Sequence, residues 1–188
     1  MNGDLNWRIP GITEALAQNF RVITLDLRGH GLSAKPHDPR AYGMAMADDV
    51  VALLDHLSLQ KAHIVGYSLG GIITLKLATT HPDRMQTASV LGAGWERADD
   101  SLFLASMDGI ADALESGPGI PPLAASLGGD RKKPGVFHTL WVKVMTGYLN
   151  DGPALAAMVR GLRGLTVEEE EVKKFRFPCA ALSGRSMR

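Results

Sequence analysis

The sequence predicts an α/β fold with a mostly parallel sheet, crossover helices and a helical cap inserted before the last strand. Between residues 12 and 91, short strand-like runs alternate with stretches in which apolar residues recur at helical spacing. This alternation is typical of βαβ units and a parallel sheet. After residue 94, helical stretches continue without a strand until a strand-like run near residue 180. The sheet and the cap follow from these two observations.

Each element is predicted from a local signal. Ile12, Leu16 and Phe20 lie on one face of a helix over residues 12–20, with Thr13 as its N-cap. A β-branched run predicts a strand over residues 21–26. The same periodicities predict the remaining elements: helices over 46–57, 69–80, 140–148 and 154–162, and strands over 63–66, 87–91 and 178–184.

The length predicts a single domain, because domains average roughly 150 residues and the chain has 188. Within that domain, we expect residues 1–93 to form the core and residues 94–172 to form the helical cap. Residues 173–188 return to the core as a strand. Proline and glycine clusters near residues 117–122 and 128–129 interrupt the cap.

The composition excludes several classes of partner. Twenty Lys and Arg residues balance twenty Asp and Glu residues, so no basic field favours nucleic acid. No apolar run approaches the ~20 residues needed to cross a bilayer, so no membrane partner is expected. The first eight residues lack an apolar leader, which predicts a cytoplasmic location. The single cysteine, Cys179, excludes an internal disulfide and is expected to be buried at the start of the last strand.

One short motif predicts chemistry. Residues 66–70 read Gly-Tyr-Ser-Leu-Gly, a G-x-S-x-G pattern between a predicted strand and a predicted helix. In that setting the serine stands on a strained turn, and the flanking glycines remove side chains that would collide. The Ser68 hydroxyl is then exposed, and the Leu69 N–H lies at a helix N-terminus, where it favours a developing oxyanion. The alternative interpretation is a serine that only caps the helix.

A second motif strengthens the first. Residues 26–33 read Asp-Leu-Arg-Gly-His-Gly-Leu-Ser and begin where the preceding predicted strand ends. Together with residues 66–71, this motif resembles the α/β-hydrolase family, in the branch of esterases, lipases and cofactor-free haloperoxidases. The resemblance covers most of the chain, because the predicted cap falls where that family inserts its own.

The resemblance implies a role for four residues. Ser68 is the nucleophile, the Leu69 N–H is one oxyanion donor, and Asp26 and His30 shape the loop beside the site. A serine at the centre of the motif implies acyl chemistry through an acyl-enzyme. No metal and no cofactor are implied.

The resemblance also implies that part of the machinery lies outside this sequence. In the family the order is serine, acid, histidine, but only His81 and His138 follow Ser68, and neither lies where the base is placed. Met187 stands at the position of the acid. We therefore expect neither acid nor base in the chain, and an incomplete fold that lacks the first and last strands. Recruitment of His138 as the base remains an alternative.

The predicted function is that of a serine hydrolase acting on an ester or similar small acyl substrate, with weak or no turnover in this chain. A non-catalytic product that keeps the scaffold for binding is the alternative. The acyl compound is the expected partner, and the sequence leaves its identity and the oligomeric state open.

Overall fold

The computed structural model describes residues 3–94, 101–115, 151–175 and 178–182. The chain divides into two compact units. The first consists of Met1–Ala41 and Met107–Arg160, and the second of Tyr42–Ser106 and Gly161–Arg188. Each unit therefore joins two segments that are distant in the sequence. The predicted boundaries of core and cap, at residues 93 and 172, stay predictions.

The described helices and strands follow in chain order. The helices are α1 (Ile12–Ala17), α2 (Met44–His56), α3 (Leu69–Thr80), α4 (Ser101–Glu115), α5 (Gly152–Gly161) and α6 (Glu169–Val172). The strands are β1 (Ala62–Tyr67), β2 (Met85–Leu91) and β3 (Cys179–Leu182). Single turns of π- or 3-10 helix cover Asp4–Arg8, Pro39–Ala41, Pro82–Arg84 and Leu162–Leu165.

The sheet of the second unit is parallel and has the order β1-β2-β3. Helix α3 leads from the end of β1 to the turn before β2, which is the crossover that two parallel neighbours require. In the register of β1 and β2, Gly66 pairs with Val90 and Tyr67 with Leu91. The carboxyl ends of both strands therefore lie side by side. This arrangement confirms the predicted α/β class with its parallel sheet and crossover helix.

The core of the second unit lies between α3 and the sheet. Leu75 of α3 and Val90 of β2 pack with Val167, and Ala93 and Phe175 lie against this cluster. Helix α3 is buried on several sides, with six of its twelve residues inaccessible to solvent. Its buried residues are Gly71, Ile73, Thr74, Leu75, Leu77 and Ala78. Such burial holds the first turn of α3 firmly against the strand ends.

The first unit is built around α5, whose residues 154–159 are all buried. The Arg160 guanidinium binds the carboxylates of Asp112 and Glu115 on α4, with N–O distances of 2.8 and 2.7 Å. At the other end of α5, one Asp151 oxygen accepts the Ala154 N–H at 3.0 Å and the other lies 2.9 Å from His37 Nε2. These bonds hold the pKa of Asp151 below its usual range.

Most predicted elements are confirmed, several of them closely. Helix α3 has the predicted bounds, and α2, α5 and the three strands begin and end within two residues of their predicted ranges. The pattern of apolar residues was sufficient here, since apolar faces, and in α3 most of the helix surface, pack against neighbouring elements. The predicted helix over residues 140–148 lies outside the described residues.

The predicted strand over residues 21–26 is wrong. No described strand pairs with this segment, which carries no regular structure through residue 27. A strand exists only through its inter-strand hydrogen bonds, so a β-branched run without a partner stays irregular.

Two predictions for single residues are also wrong. The residue that caps α1 is Gly11, with a φ of +80°, and not Thr13. Thr13 lies inside the helix instead, where its buried Oγ1 has no hydrogen-bond partner among the described residues. Cys179 is exposed rather than buried, because β3 pairs on one side only in the described sheet. Partial desolvation still raises the pKa of its thiol.

Arg84 connects the turn before β2 to the loop before β1. Its Nη2 donates to Asp55 Oδ1 at 2.6 Å and to the Leu59 carbonyl at 3.2 Å, and its Nε donates to the Gln60 carbonyl at 2.8 Å. The side chain is only 16% exposed, whereas that of Asp55 is 64% exposed. The carbonyl bonds therefore matter more than the ion pair, which solvent screens.

We expect Arg84→Ala to lower the free energy of unfolding by about 1–3 kcal/mol, because two loop carbonyls lose their donor. Asp55→Ala should cost less than about 1 kcal/mol. Urea titrations of both variants, with replacement of the exposed Lys61 in the same loop as the control, measure the difference. Equal losses for Arg84→Ala and Asp55→Ala would assign the effect to the ion pair instead.

Candidate functional site

Ser68 occupies the junction of β1 and α3, in a backbone conformation that serine seldom adopts. It is the N-cap of α3, with φ of +53° and ψ of −116°. A non-glycine residue in such a region costs about 1–3 kcal/mol and persists only where its surroundings hold it. The residue is exposed. The predicted strained turn and accessible serine are therefore both present.

Backbone hydrogen bonds hold the turn from both sides. The Ser68 N–H donates to the Leu91 carbonyl at 2.8 Å, and the Ser68 carbonyl accepts the N–H groups of Gly71 and Ile72 at 2.8 and 3.2 Å. The side chain makes no capping hydrogen bond. The capping interpretation of this serine therefore has no support in the geometry, and within the described part of its unit the hydroxyl is without a hydrogen-bond partner.

The first glycine of the motif has the role that the pattern predicts, and the second does not. A Cβ at Gly66 would lie 2.0 Å from the Gly70 carbonyl oxygen and 2.4 Å from Thr74 Oγ1, so no side chain fits there. A Cβ at Gly70 would meet nothing within 4 Å. The second crowded position is Gly71, where a Cβ would lie 2.7 Å from the Cβ of Ala93. Strand and helix thus approach each other at positions 66 and 71.

The first amides of α3 supply hydrogen-bond donors beside the serine. Leu69 is the first residue of the helix, so its N–H has no partner within the helix, and none of the described residues of its unit accepts it. The positive end of the helix dipole adds to the local field. The geometry suits an anionic oxygen close to Ser68.

The loop over residues 26–33 belongs to the first unit, and Asp26 organises it. One carboxylate oxygen of Asp26 accepts the Gly3 N–H at 2.8 Å, and the other accepts the Leu32 N–H at 3.1 Å. The Asp26 carbonyl accepts the Ser33 hydroxyl at 2.6 Å. One aspartate therefore holds both the N-terminal segment and the tip of the loop.

His30 lies in the same loop, and its ring is largely shielded from water. Burial lowers the pKa of His30 from its ordinary value of 6.5, although the Arg28 carbonyl, 3.2 Å from Nδ1, opposes the shift. A neutral ring is therefore favoured at neutral pH. The proposed roles of Asp26 and His30 beside a catalytic site stay predictions.

The other predicted candidates lie apart from the serine or outside the described residues. His81 follows α3 at its carboxyl end, roughly 18 Å along the axis from the first turn, and its Nδ1 bonds the Thr80 hydroxyl. His63, in β1, bonds the Thr87 hydroxyl at 2.9 Å. His138 and Met187 are outside the described residues. The expectation that no acid and no base belong to the chain stays a prediction.

Sequence reasoning missed the contribution of residues 91–93. Leu91 accepts the Ser68 N–H, and Ala93 lies against Gly71. The signal in the sequence was Gly92, which follows β2 directly. A glycine at this position permits the left-handed φ of +60° that the chain adopts after β2.

In the described ranges, no three His, Cys, Asp or Glu side chains come together in a way that could hold a metal ion. None of the helices in those ranges is long and apolar enough to span a bilayer.

Comparisons with known proteins agree with the fold. A family model described as the alpha/beta hydrolase fold matches residues 1–140. Two curated relatives are similar over about half of this chain. A Caulobacter vibrioides protein named carbamate hydrolase RutD is 45% identical over 89 residues, or 47% of this chain and 33% of that protein. A 2-hydroxymuconate semialdehyde hydrolase from Pseudomonas sp. strain CF600 is 38% identical over 88 residues, or 47% of this chain and 30% of that enzyme.

Solved structures extend the similarity along the chain. A crystal structure of a hydrolase from Pseudomonas aeruginosa superposes with a TM-score of 0.71 at 27% identity. The match covers 91% of this chain and 64% of the other. The matches to the curated relatives take in only about a third of their lengths. Similarity thus extends over nearly all of this chain but over only part of each known protein.

The two glycines of the G-x-S-x-G pattern should differ in their tolerance of substitution. We expect Gly66→Ala to cost more than about 3 kcal/mol of unfolding free energy, because its Cβ would overlap a backbone carbonyl. Gly70→Ala should be neutral, or stabilise by up to about 1 kcal/mol, as alanine does within a helix. Urea midpoints of the two variants test this, and equal destabilisation would contradict the described packing.

The stability of the fold should depend on pH through His30. Because the pKa of His30 is lowered in the folded state, the contribution of His30 to the free energy of unfolding is complete above pH 6.5. That contribution is lost as the pH falls from 6.5 through the pKa of the folded state. We expect NMR titration of the ring to have a midpoint below 6.5. His30→Gln should reduce the loss of unfolding free energy over this range. A ring that titrates at or above 6.5 would contradict the assigned burial.

Proposed function

Because the chain belongs to the α/β-hydrolase family, we propose that it is a serine hydrolase that cleaves an ester or related small acyl substrate through an acyl-enzyme on Ser68. The observation that supports the proposal is the geometry of that serine. Its hydroxyl is exposed and without a capping bond, on a strained turn at the N-terminus of α3. Strain of this kind is typical of sites where a side chain must be presented to a substrate.

The proposed reaction uses the serine oxygen and the helix amide together. Ser68 Oγ attacks the substrate carbonyl carbon and its proton passes to water, and the C–O bond then breaks as a proton is returned to the departing oxygen, which leaves as the alcohol. The carbonyl oxygen becomes negative in the tetrahedral intermediate, where the Leu69 N–H and the end of the helix dipole stabilise it. Water then attacks the acyl-enzyme, which releases the acid and restores the hydroxyl.

The relatives support the class of substrate but differ in its details. One is named for a carbamate and the other for a 2-hydroxymuconate semialdehyde. Both names describe hydrolases of compounds that contain a carbonyl group, and a carbonyl carbon is what an activated serine attacks. We therefore propose a small carbonyl compound as substrate.

The lack of a histidine base bonded to Ser68 among the described residues of its unit limits the turnover rate that we expect. Loss of the base from a serine protease triad lowers turnover on the order of 10⁶-fold, equivalent to about 8 kcal/mol of barrier. Within the described part of its unit, Ser68 has no hydrogen bond to a histidine. We propose that turnover by this chain alone is weak, and that acylation of the serine is easier to detect than release of product.

A non-catalytic role in binding is the second candidate. The same lack of a histidine partner for Ser68 favours it, because a serine hydroxyl without a base is a poor nucleophile. In that case the fold and its strained turn would remain, but the hydroxyl would have ordinary reactivity. The two candidates differ in whether a serine-directed reagent modifies Ser68.

A fluorophosphonate probe distinguishes the candidates. We expect the folded chain to be labelled at Ser68, as identified by peptide mass spectrometry, and Ser68→Ala to remain unlabelled. Ser58 offers a matched control, because it is exposed and also has a positive φ, of +55°, but lies in the loop before β1 instead of at the start of α3. Ser58→Ala should be labelled like the unaltered chain.

Two results would reject the hydrolase proposal. One is the absence of labelling in protein that circular dichroism shows to be folded. The other is labelling that persists unchanged in Ser68→Ala. The first result would favour the binding role, and the second would assign reactivity to a different residue.

A further inference from the structure

Three consecutive residues, the last of β2 and the two that follow it, contact the turn that carries Ser68. The first contact is the hydrogen bond from the Ser68 N–H to the Leu91 carbonyl, at 2.8 Å. It joins the turn to the end of the neighbouring parallel strand, in register with Tyr67. The strained residue is therefore bonded to a part of the sheet that its own strand does not contain.

The next two residues pack against the turn from either side of Ser68. Gly92 lies beneath the ring of Tyr67, and a Cβ on this glycine would be 3.0 Å from the ring carbon Cε2. A Cβ on Gly71 would lie 2.7 Å from the Cβ of Ala93. The residue before Ser68 and the first turn of α3 are thus both in contact with the same short segment.

This packing has an energetic consequence for Ser68. A φ of +53° disfavours every residue except glycine, so Ser68 would relax if its neighbours allowed it. The bonds within α3 fix the carbonyl side of Ser68, but its N–H side is fixed by Leu91. A few tenths of an ångström of movement in residues 91–93 would therefore change the position of the hydroxyl.

We propose that residues 91–93 are a positioning clamp that holds Ser68 in its strained conformation and so sets the reactivity of its hydroxyl. The inference rests on the proposed function, in which Ser68 is the nucleophile. The clamp acts through one hydrogen bond and two close packing contacts, all of them with the turn and not with the serine hydroxyl. It therefore governs the rate of the covalent step and not the binding of the substrate.

A reciprocal exchange of one methyl group tests the clamp. Gly71→Ala introduces a Cβ that must displace Ala93, and Ala93→Gly removes the group that it meets. We expect Gly71→Ala to lower the limiting rate of phosphonate labelling about 10-fold, because small misplacements of a reacting group are costly. The probe concentration that gives half of that rate should not change. The double variant should recover most of the rate.

A second measurement does not depend on reactivity. Ser68→Gly relieves the positive φ, so it should raise the urea midpoint of the unaltered chain. In Gly71→Ala the clamp is displaced and Ser68 has already relaxed, so Ser68→Gly should raise the midpoint less. The double variant Gly71→Ala with Ala93→Gly should recover the larger increase. Gly11→Ala, at a positive φ with nothing within 4 Å, is the control and should leave the increase unchanged.

The two measurements separate failure of the clamp from failure of the proposed function. If the unaltered chain is not labelled but the midpoints show the expected coupling, the clamp stands and the hydrolase proposal fails. If labelling occurs but Ser68→Gly raises the urea midpoint equally in the unaltered chain, in Gly71→Ala and in the double variant, the clamp is rejected. Should Gly71→Ala fail to fold, Ala93→Gly alone serves, since it leaves a gap beside Gly71 and should reduce the increase as well. An unchanged increase in that variant would also reject the clamp.

Discussion

The tight turn from β1 into α3 requires glycine at position 66, because any other amino acid would place a Cβ there. The Gly70 carbonyl and the Thr74 hydroxyl occupy the space that a side chain would need. This approach lets the first turn of α3 begin directly after the strand, with one residue between them. That residue is Ser68, and its positive φ is the geometric cost of so short a connection. The exposed hydroxyl follows from it, as does a Leu69 amide that has no partner among the described residues of its unit.

The parallel sheet contributes the second constraint on the turn. Because β1 and β2 run in the same direction and end together, the residues that follow β2 come to lie beside those that follow β1. Ligand sites in open α/β sheets lie at the carboxyl ends of strands for this reason. Here the same geometry supplies the Leu91 carbonyl and the Ala93 methyl group that contact the turn. Support for the serine thus comes from the neighbouring strand as well as from its own.

The first unit is organised by polar contacts at the ends of its segments. Asp26 accepts backbone amides of the N-terminal segment and of the tip of its own loop, and Asp151 bonds both an amide of α5 and the His37 ring. Carboxylates are suited to this role, since each has two oxygens that can accept from different segments. Arg160 acts in the same way on α4, through two carboxylates. A small number of charged side chains in the first unit therefore connect segments that are far apart in the sequence.

The sequence by itself determined the elements that carry runs of apolar residues and the motif with its serine. Helix α3, the three strands and the position of Ser68 were predictable because apolar runs and glycine spacing are local properties. The irregular segment at 21–27, the exposed Cys179 and the exchange of roles between Gly70 and Gly71 were not predictable. Each depends on which backbone lies alongside. Only the tertiary structure decides that, because pairing and close packing join residues whose distance in the sequence carries no signal.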